Sequence, residues 1–267
     1  MTLLDLAGPF AAVLIGVTLG LIGAGGSILT VPVLVYLMGV VPSTATAYSL
    51  FVVGLTALVG SLTYMRQQLV SYKTAVIFSI PSLIGVFLAR KFIMPAVPNE
   101  IATMNGVVLT KDLSIMVLFA SLMLMASMSM IRKGEPHSKE AKDYNYTLIL
   151  VEGFVVGVLT GLVGAGGGFL IIPALVVLAR LPMKTAVGTS LLIIAVKSLF
   201  GFTGDLGTTE INWLLLFRFS FFTVSGIFLG SYAGRFISGA KLKPAFGWFV
   251  LAMGVYVIVK EVTGGRM

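Results

Sequence analysis

The chain has no cysteine, a single histidine and little charge: only 10% of its 267 residues are Asp, Glu, Lys or Arg. Without cysteine there is no disulfide framework, no thiol nucleophile and no thiolate metal site. One histidine, His137, cannot build a histidine metal cluster. A soluble domain carries about 25% charged residues, and so sparse a set cannot cover a water-facing surface. A soluble enzyme, a nucleic-acid-binding module and a disordered chain are excluded together. Apolar residues make up 58% of the chain, and about 70% once its 31 glycines are added, against roughly 45–50% for the same set in a soluble domain. The formal net charge of +8 therefore reads as cationic loops facing the cytoplasm. The first residues lack a basic n-region and include Asp5, so no cleavable signal peptide is expected.

Ten apolar segments follow one another: 3–22, 27–41, 44–64, 74–95, 113–131, 147–163, 168–181, 185–204, 211–235 and 245–262. A helix needs about 20 residues to cross a bilayer. The second and seventh are short, which favours half-depth or strongly tilted helices. Long continuous runs exclude a β-barrel, whose strands would alternate in polarity. The hydrophilic stretch 132–146 divides the chain into two transmembrane repeats, 1–131 and 147–267.

The halves are copies. Gly20-Leu-Ile-Gly-Ala-Gly-Gly-Ser27 matches Gly161-Leu-Val-Gly-Ala-Gly-Gly-Gly168, and Pro32, Thr44-Ala45 and Ser49-Leu50 match Pro173, Thr185-Ala186 and Ser190-Leu191, all at an offset of 141. Over 20–50 the identity is 15 of 31 aligned positions. Five segments per repeat is an odd number, so the second copy should run upside down relative to the first. With 132–146 in the cytoplasm, eleven basic residues fall in inside loops and five outside, Arg90 and Lys91 among the latter, as the positive-inside rule requires. Fusing the first two segments of each repeat into one crossing would place Arg180, Lys184, Arg235, Lys241 and Lys243 outside, and charge argues against it. The expected fold is all-α: a polytopic membrane bundle of two inverted-topology repeats with glycine-broken helices or re-entrant hairpins, both termini outside.

Gly23-Ala24-Gly25-Gly26 and Gly164-Ala165-Gly166-Gly167-Gly168 interrupt apolar helix at equivalent places. Glycine weakens a helix and admits left-handed backbone, so each following helix, starting at Ser27 or Gly168, exposes unbonded N–H groups. In a membrane these must find protein, water or ligand, and the partial positive charge there suits an anion. Paired broken helices in two inverted halves are the mark of a secondary transporter with a midplane site. Close packing through small residues is the alternative. No Gly-Lys-Ser/Thr follows, so neither cluster is a phosphate-binding P-loop.

Lys197 and Arg218 lie inside apolar segments, each about eight positions from the turn at 205–210. Adjacent antiparallel helices would bring them to one depth, where a buried cation is a functional suspect; snorkelling to the outer interface, or pairing with Asp205, is the alternative. Their first-repeat counterparts are Thr56 and Ile77. Glu152 is placed either to carry a coupling proton or to cap the early turns of its helix. Asp205 reads as a solvated loop charge. Thr44, Ser49, Thr185, Thr189 and Ser190 either line an anion path or bond their own helix carbonyls. Met116, Met123, Met125, Met128 and Met130 fit adaptable packing better than a copper route. Neither a cofactor nor a metal site is expected.

The doubled Gly-Leu-[Ile/Val]-Gly-Ala-Gly-Gly with its downstream Pro, followed by Thr-Ala-x-x-x-Ser-Leu, resembles the sulfite exporter TauE/SafE family. The likeness covers roughly 10–95 and 150–262. It implies a bacterial inner-membrane permease that exports sulfite, sulfoacetate or a related organosulfur anion, with about eight annotated spans. It also implies that the breaks at 23–26 and 164–168 present helix ends to substrate and that polar residues around 44–49 and 185–190 line the cavity. The expected partners are a small anion and the lipid bilayer, with no nucleic acid; the oligomeric state, monomer or homodimer, stays open. An anion channel is the alternative function. A membrane-embedded enzyme lacks its nucleophile or metal constellation, and an assembly factor would tolerate larger residues in both glycine motifs.

Overall fold

The computed structural model describes residues 3–23, 25–104, 107–131, 146–164, 166–177, 179, 181–207, 209–234, 236–237 and 239–264. His137, most of the 132–146 linker, Ala24 and Ala165 lie outside the described residues. Ten helical segments match the ten apolar stretches. The first half holds α1 (Leu3–Ile22), α2 (Gly25–Pro32), α3 (Pro42–Arg66), α4 (Tyr72–Leu88) and α5 (Lys111–Ile131). The second holds α6 (Tyr146–Val163), α7 (Gly168–Val177), α8 (Met183–Thr203), α9 (Trp213–Ala233) and α10 (Gly239–Gly264). Among the described residues six helices are long and apolar enough to cross a membrane: Pro42–Arg66, Tyr72–Ala96, Lys111–Met128, Met183–Thr203, Trp213–Ala233 and Pro244–Glu261. At 1.5 Å per residue α2 and α7 are only about 12 and 15 Å long, half of a hydrocarbon core of about 30 Å.

Both short helices end alike. Pro32 has no N–H to give the helix, and α2 widens into a π turn at Val33–Leu37, closed by Met38 N–H donating to Val33 O at 3.1 Å. In the second half Ala179 N–H donates to Ala174 O at 3.3 Å, the same bond 141 residues on. A further π turn, Ala89–Ile93, extends α4 and leads to a short helix at Met94–Ala96. The all-helical expectation needs one amendment. Residues 100–110 contain an antiparallel pair, β1 (Glu100–Met104) and β2 (Val107–Thr110), with Glu100 opposite Thr110. Ile101, Val107 and Val108 favour extended backbone, a local signal that membrane-segment counting passes over.

The halves do not sit side by side; they interleave. α1 packs on α9 and α4 on α6, while α3 packs on α8 and α5 on α10. Exchanging the halves maps the first two contacts onto each other and each of the last two onto itself. The match reaches single residues: a Cβ on Gly226 would overlap the Val13 carbonyl oxygen, and one on Gly85 would overlap that of Phe154. Glycine lets these backbones touch, and the small-residue contact expected of membrane helices is thus found between α1 and α9 and between α4 and α6. Phe78, Met116, Phe119, Met123, Phe169 and Phe246 fill the main core, Phe119 edge-on to Phe169. Met125 and Met128 point outward instead. Phe10, Leu62, Ile80, Leu214, Phe221 and Trp248 are exposed around the outside, a continuous apolar wall of the kind lipid covers.

Candidate functional site: the second glycine break

Both breaks begin with a left-handed glycine. Gly23 (φ 75°) ends α1 and Gly164 (φ 71°) ends α6, their N–H groups donating to Leu19 O and Thr160 O at 2.7 and 2.8 Å. A side chain would be strained at either position. Each break then presses on the other half. A Cβ on Gly23 would meet Val187 and Ser190, and a Cβ on Gly164 would overlap Thr46, the counterpart of Val187.

Beyond that the surroundings diverge. Gly26, in the first break, faces Ile15 and Leu19 of α1. Gly166 faces Val53 and Ile194 with Ser198 Oγ beside them, and Gly167, the counterpart of Gly26, faces Thr160 and the Lys197 ammonium. Lys197 is 0% exposed, and its Nζ donates to Thr160 Oγ1 at 2.9 Å. Thr160 passes its own proton to Gly157 O at 3.2 Å, so its lone pair is free for the ammonium. No carboxylate among the described residues pairs with Lys197. Leu170 and Ile171 N–H both close on Gly167 O, so α7 starts beside this ammonium, and its first N–H groups have no preceding turn to bond. Positive charge of two kinds therefore gathers at one buried point. Lys197 is neither snorkelled to an interface nor paired with Asp205 among the described residues; it lies buried beside the second glycine break.

A second buried cation was not foreseen. Arg90 lies in the π turn after α4 and is 1% exposed, not in an outside loop. Its Nη1 donates to Thr46 Oγ1 at 3.1 Å and reaches Asp205 Oδ1 at 3.4 Å. Thr46, which gives its proton to Ser43 O at 2.7 Å, is the residue that abuts Gly164. Asp205 is only 5% exposed, which corrects its reading as a solvated loop charge. Burial pushes its carboxyl above the usual carboxylate range, and Arg90 pulls it part of the way back. The signal in the sequence was an arginine inside segment 74–95; its position near the segment's end made it look like a loop charge.

Arg218 stands apart. α9 packs on α1 and α3 rather than on α8, so the two cations are not brought to one depth. Arg218 is exposed and lines a cavity of about 260 Å³ with Gly8, Pro9, Met38 and Asn212. Glu152 is partly buried on α6. Thr44 and Thr185 are partly buried at the starts of α3 and α8, and Ser27 and Gly168 are buried. Ser190 Oγ donates to its own helix at Val187 O (2.8 Å), whereas Thr189 Oγ1 accepts Ser71 N–H (2.9 Å). Ser49 Oγ is buried with no hydrogen bond. Of these hydroxyls Ser190 alone is seen bonding its own helix carbonyl, Thr189 serving instead as an acceptor for the loop before α4. At the opposite end of the bundle from Arg90, Val187 and Ser231, the counterparts of Thr46 and Arg90, help line an open cavity of about 100 Å³ with Lys184 and Gln67.

The profile of the sulfite exporter TauE/SafE family matches residues 9–257. The chain belongs to the TauE/SafE family. TauE/SafE relatives of similar length include a protein of Xylella fastidiosa (strain Temecula1) named "Probable membrane transporter protein", 30% identical over 253 residues, covering 92% of this chain and 91% of that one. A second, YunE of Bacillus subtilis, carries the same description and is 32% identical over 250 residues, covering 84% and 85%. YdhB of the same organism is 26% identical over 232 residues. No solved structure matches this TauE/SafE chain. The protein is a multi-pass membrane transporter with a small substrate.

Proposed function

We propose that this transporter is a permease for a small sulfur-containing anion, such as sulfite or sulfoacetate, which it exports across the bacterial inner membrane by alternating access. One observation carries the reading: Lys197 is wholly buried beside the second glycine break and held by a hydroxyl, with no carboxylate among the described residues to neutralise it. A buried ammonium without a fixed counter-charge is costly unless an anion completes it. The start of α7 adds a partial positive charge at the same point. The printed family description supplies the sulfur class.

Alternating access draws support from the two ends. Arg90 and Asp205 close one, while the equivalent region around Val187 and Ser231 opens into a cavity. A continuously open pore would leave Lys197 exposed, so the closure favours a carrier. Inverted repeats fit the odd number of segments per half and the contacts that exchange between halves. In this reading the short α2 and α7 form re-entrant hairpins with α1 and α6, the 132–146 linker is cytoplasmic and both termini are outside. Glu152 and Arg218 have no part in the buried site. Export of an anion from a negative-inside cell gains about 2.3 kcal/mol per charge per 100 mV, so coupling to another ion is not required.

The test is saturable counterflow of labelled sulfite and sulfoacetate in proteoliposomes, with Lys197→Met and Arg218→Ala alongside the native protein. Flux lost in Lys197→Met and kept in Arg218→Ala is expected. Flux unaffected in folded Lys197→Met removes the site from Lys197. A cation-selective signal overturns the anion reading.

A further inference from the structure

Buried polar atoms in proteins are nearly all hydrogen-bonded, and a guanidinium has five N–H donors and no way to lose its charge. At 1% exposure, Arg90 spends only Nη1, on Thr46 and Asp205; Nε and Nη2 make no hydrogen bond among the described residues. These two nitrogens form one edge of the guanidinium plane, and their N–H groups point the same way, the fork that grips two oxygens of one oxyanion. The bonds from Nη1 hold the plane in place and leave that edge free. The Asp205 contact is long and uses one oxygen, so it does not exhaust the positive charge. Thr46 ties Arg90 to Gly164, three residues before Gly167, against which Lys197 lies. Two further buried hydroxyls without partners, Ser49 Oγ and Ser198 Oγ, belong to the same surroundings: Ser49 lies one turn after Thr46 on α3, and Ser198 faces Gly166.

We infer that the Nε/Nη2 edge of Arg90 is a second anion subsite, on the Asp205 side of the break, that selects oxyanions able to offer two oxygens side by side (sulfonates, sulfite, carboxylates) over spherical anions. It rests on the permease reading above and adds a station to it. Lys197 supplies a point charge deep in the bundle, and Arg90 supplies planar selection at Asp205, just past the end of α8 and about two helical turns from Lys197. Asp205 competes for the same guanidinium and keeps the subsite from holding its anion too tightly.

The experiment compares native protein, Arg90→Lys and Asp205→Asn in sulfoacetate counterflow, with thermal unfolding in detergent at rising sulfoacetate or chloride. Arg90→Lys keeps a positive charge and loses the fork. It should raise the half-saturating sulfoacetate concentration about tenfold, the worth of one charged hydrogen bond. It should also remove the rise in unfolding temperature that sulfoacetate, but not chloride, gives the native protein. Asp205→Asn should lower the half-saturating concentration. A merely structural Arg90 would lower the unfolding temperature equally with and without sulfoacetate. Native half-saturation in folded Arg90→Lys overturns the subsite and leaves the carrier intact. If Arg90→Lys does not fold, unchanged or weaker half-saturation in Asp205→Asn overturns it. Absence of any flux in the native protein brings down the permease reading, and the subsite with it.

Discussion

The two glycine breaks carry the same residues and meet different neighbours. Gly23 and Gly164 share one backbone conformation and press on equivalent residues of the opposite half, Val187 and Thr46. Three residues later the first break meets Ile15 and Leu19, and the second meets Thr160 and Lys197. At Lys197's place in the first half, Thr56 gives its proton to Val52 O and lies 2.8 Å from Thr223 Oγ1. The duplication kept the scaffold twice and put the charge in once. A shared motif therefore marks where a membrane helix is broken, and the residues packed against the break decide what it can do.

The strongest way to break this comparison is to remove the charge. Lys197→Met should lower flux about a hundredfold or more, as losing one side of a buried charged contact does. Thr56→Val, its counterpart, should cost about 1–3 kcal/mol of stability through its two lost hydrogen bonds, to Val52 O and Thr223 Oγ1, and leave flux near the native rate. Equal losses from both would mean that the halves share the work. Next come the breaks themselves. Gly23→Ala and Gly164→Ala each force a side chain into left-handed backbone, at about 1–3 kcal/mol. Gly164→Ala should unfold at the lower temperature, because its methyl overlaps the Thr46 backbone and Cβ more deeply than the Gly23→Ala methyl overlaps Val187. A smaller effect is expected at Thr160. Thr160→Val strips Lys197 of its hydroxyl and should raise half-saturation about tenfold, while Thr160→Ser should restore it.

The smallest effect is a pH dependence. The folded carboxyl of Asp205 lies above the ordinary carboxylate range because of burial. The folded state therefore binds this proton more firmly than the unfolded state, and stability falls as pH rises from the ordinary carboxylate pKa through the raised one. Unfolding temperatures measured across that window should fall with pH in the native protein, and the slope should flatten in Asp205→Asn. A slope of opposite sign would mean that Arg90 outweighs burial at this site.

Much of the bundle was legible in the sequence because each of its signals is local. A run of apolar residues, a Gly-Ala-Gly-Gly interruption and a proline six residues on fix a helix, a break and a widened turn without help from elsewhere. Lys197 was legible for the same reason, as a charge in the middle of an apolar run. Arg90 and Arg218 were misplaced because their environments come from the other half. The loop carrying Asp205 covers Arg90, and α9 leaves α8 for α1, which turns Arg218 outward. The order of helices along a chain does not say which of them touch. Two short strands at 100–110 escaped notice because bilayer-length windows average over them.

The interleaving of the halves also bears on how such a chain is made. α1 lies against α9, some two hundred residues further on, and α6 must find α4 in the part already synthesised. At roughly 5–20 residues per second, the first helix waits on the order of ten to forty seconds for its partner. Its glycine face must spend that interval against lipid or against an insertion factor. Final packing belongs to the end of translation, and a ribosome that stops after the first repeat leaves four helices, α1, α3, α4 and α5, without their main partners.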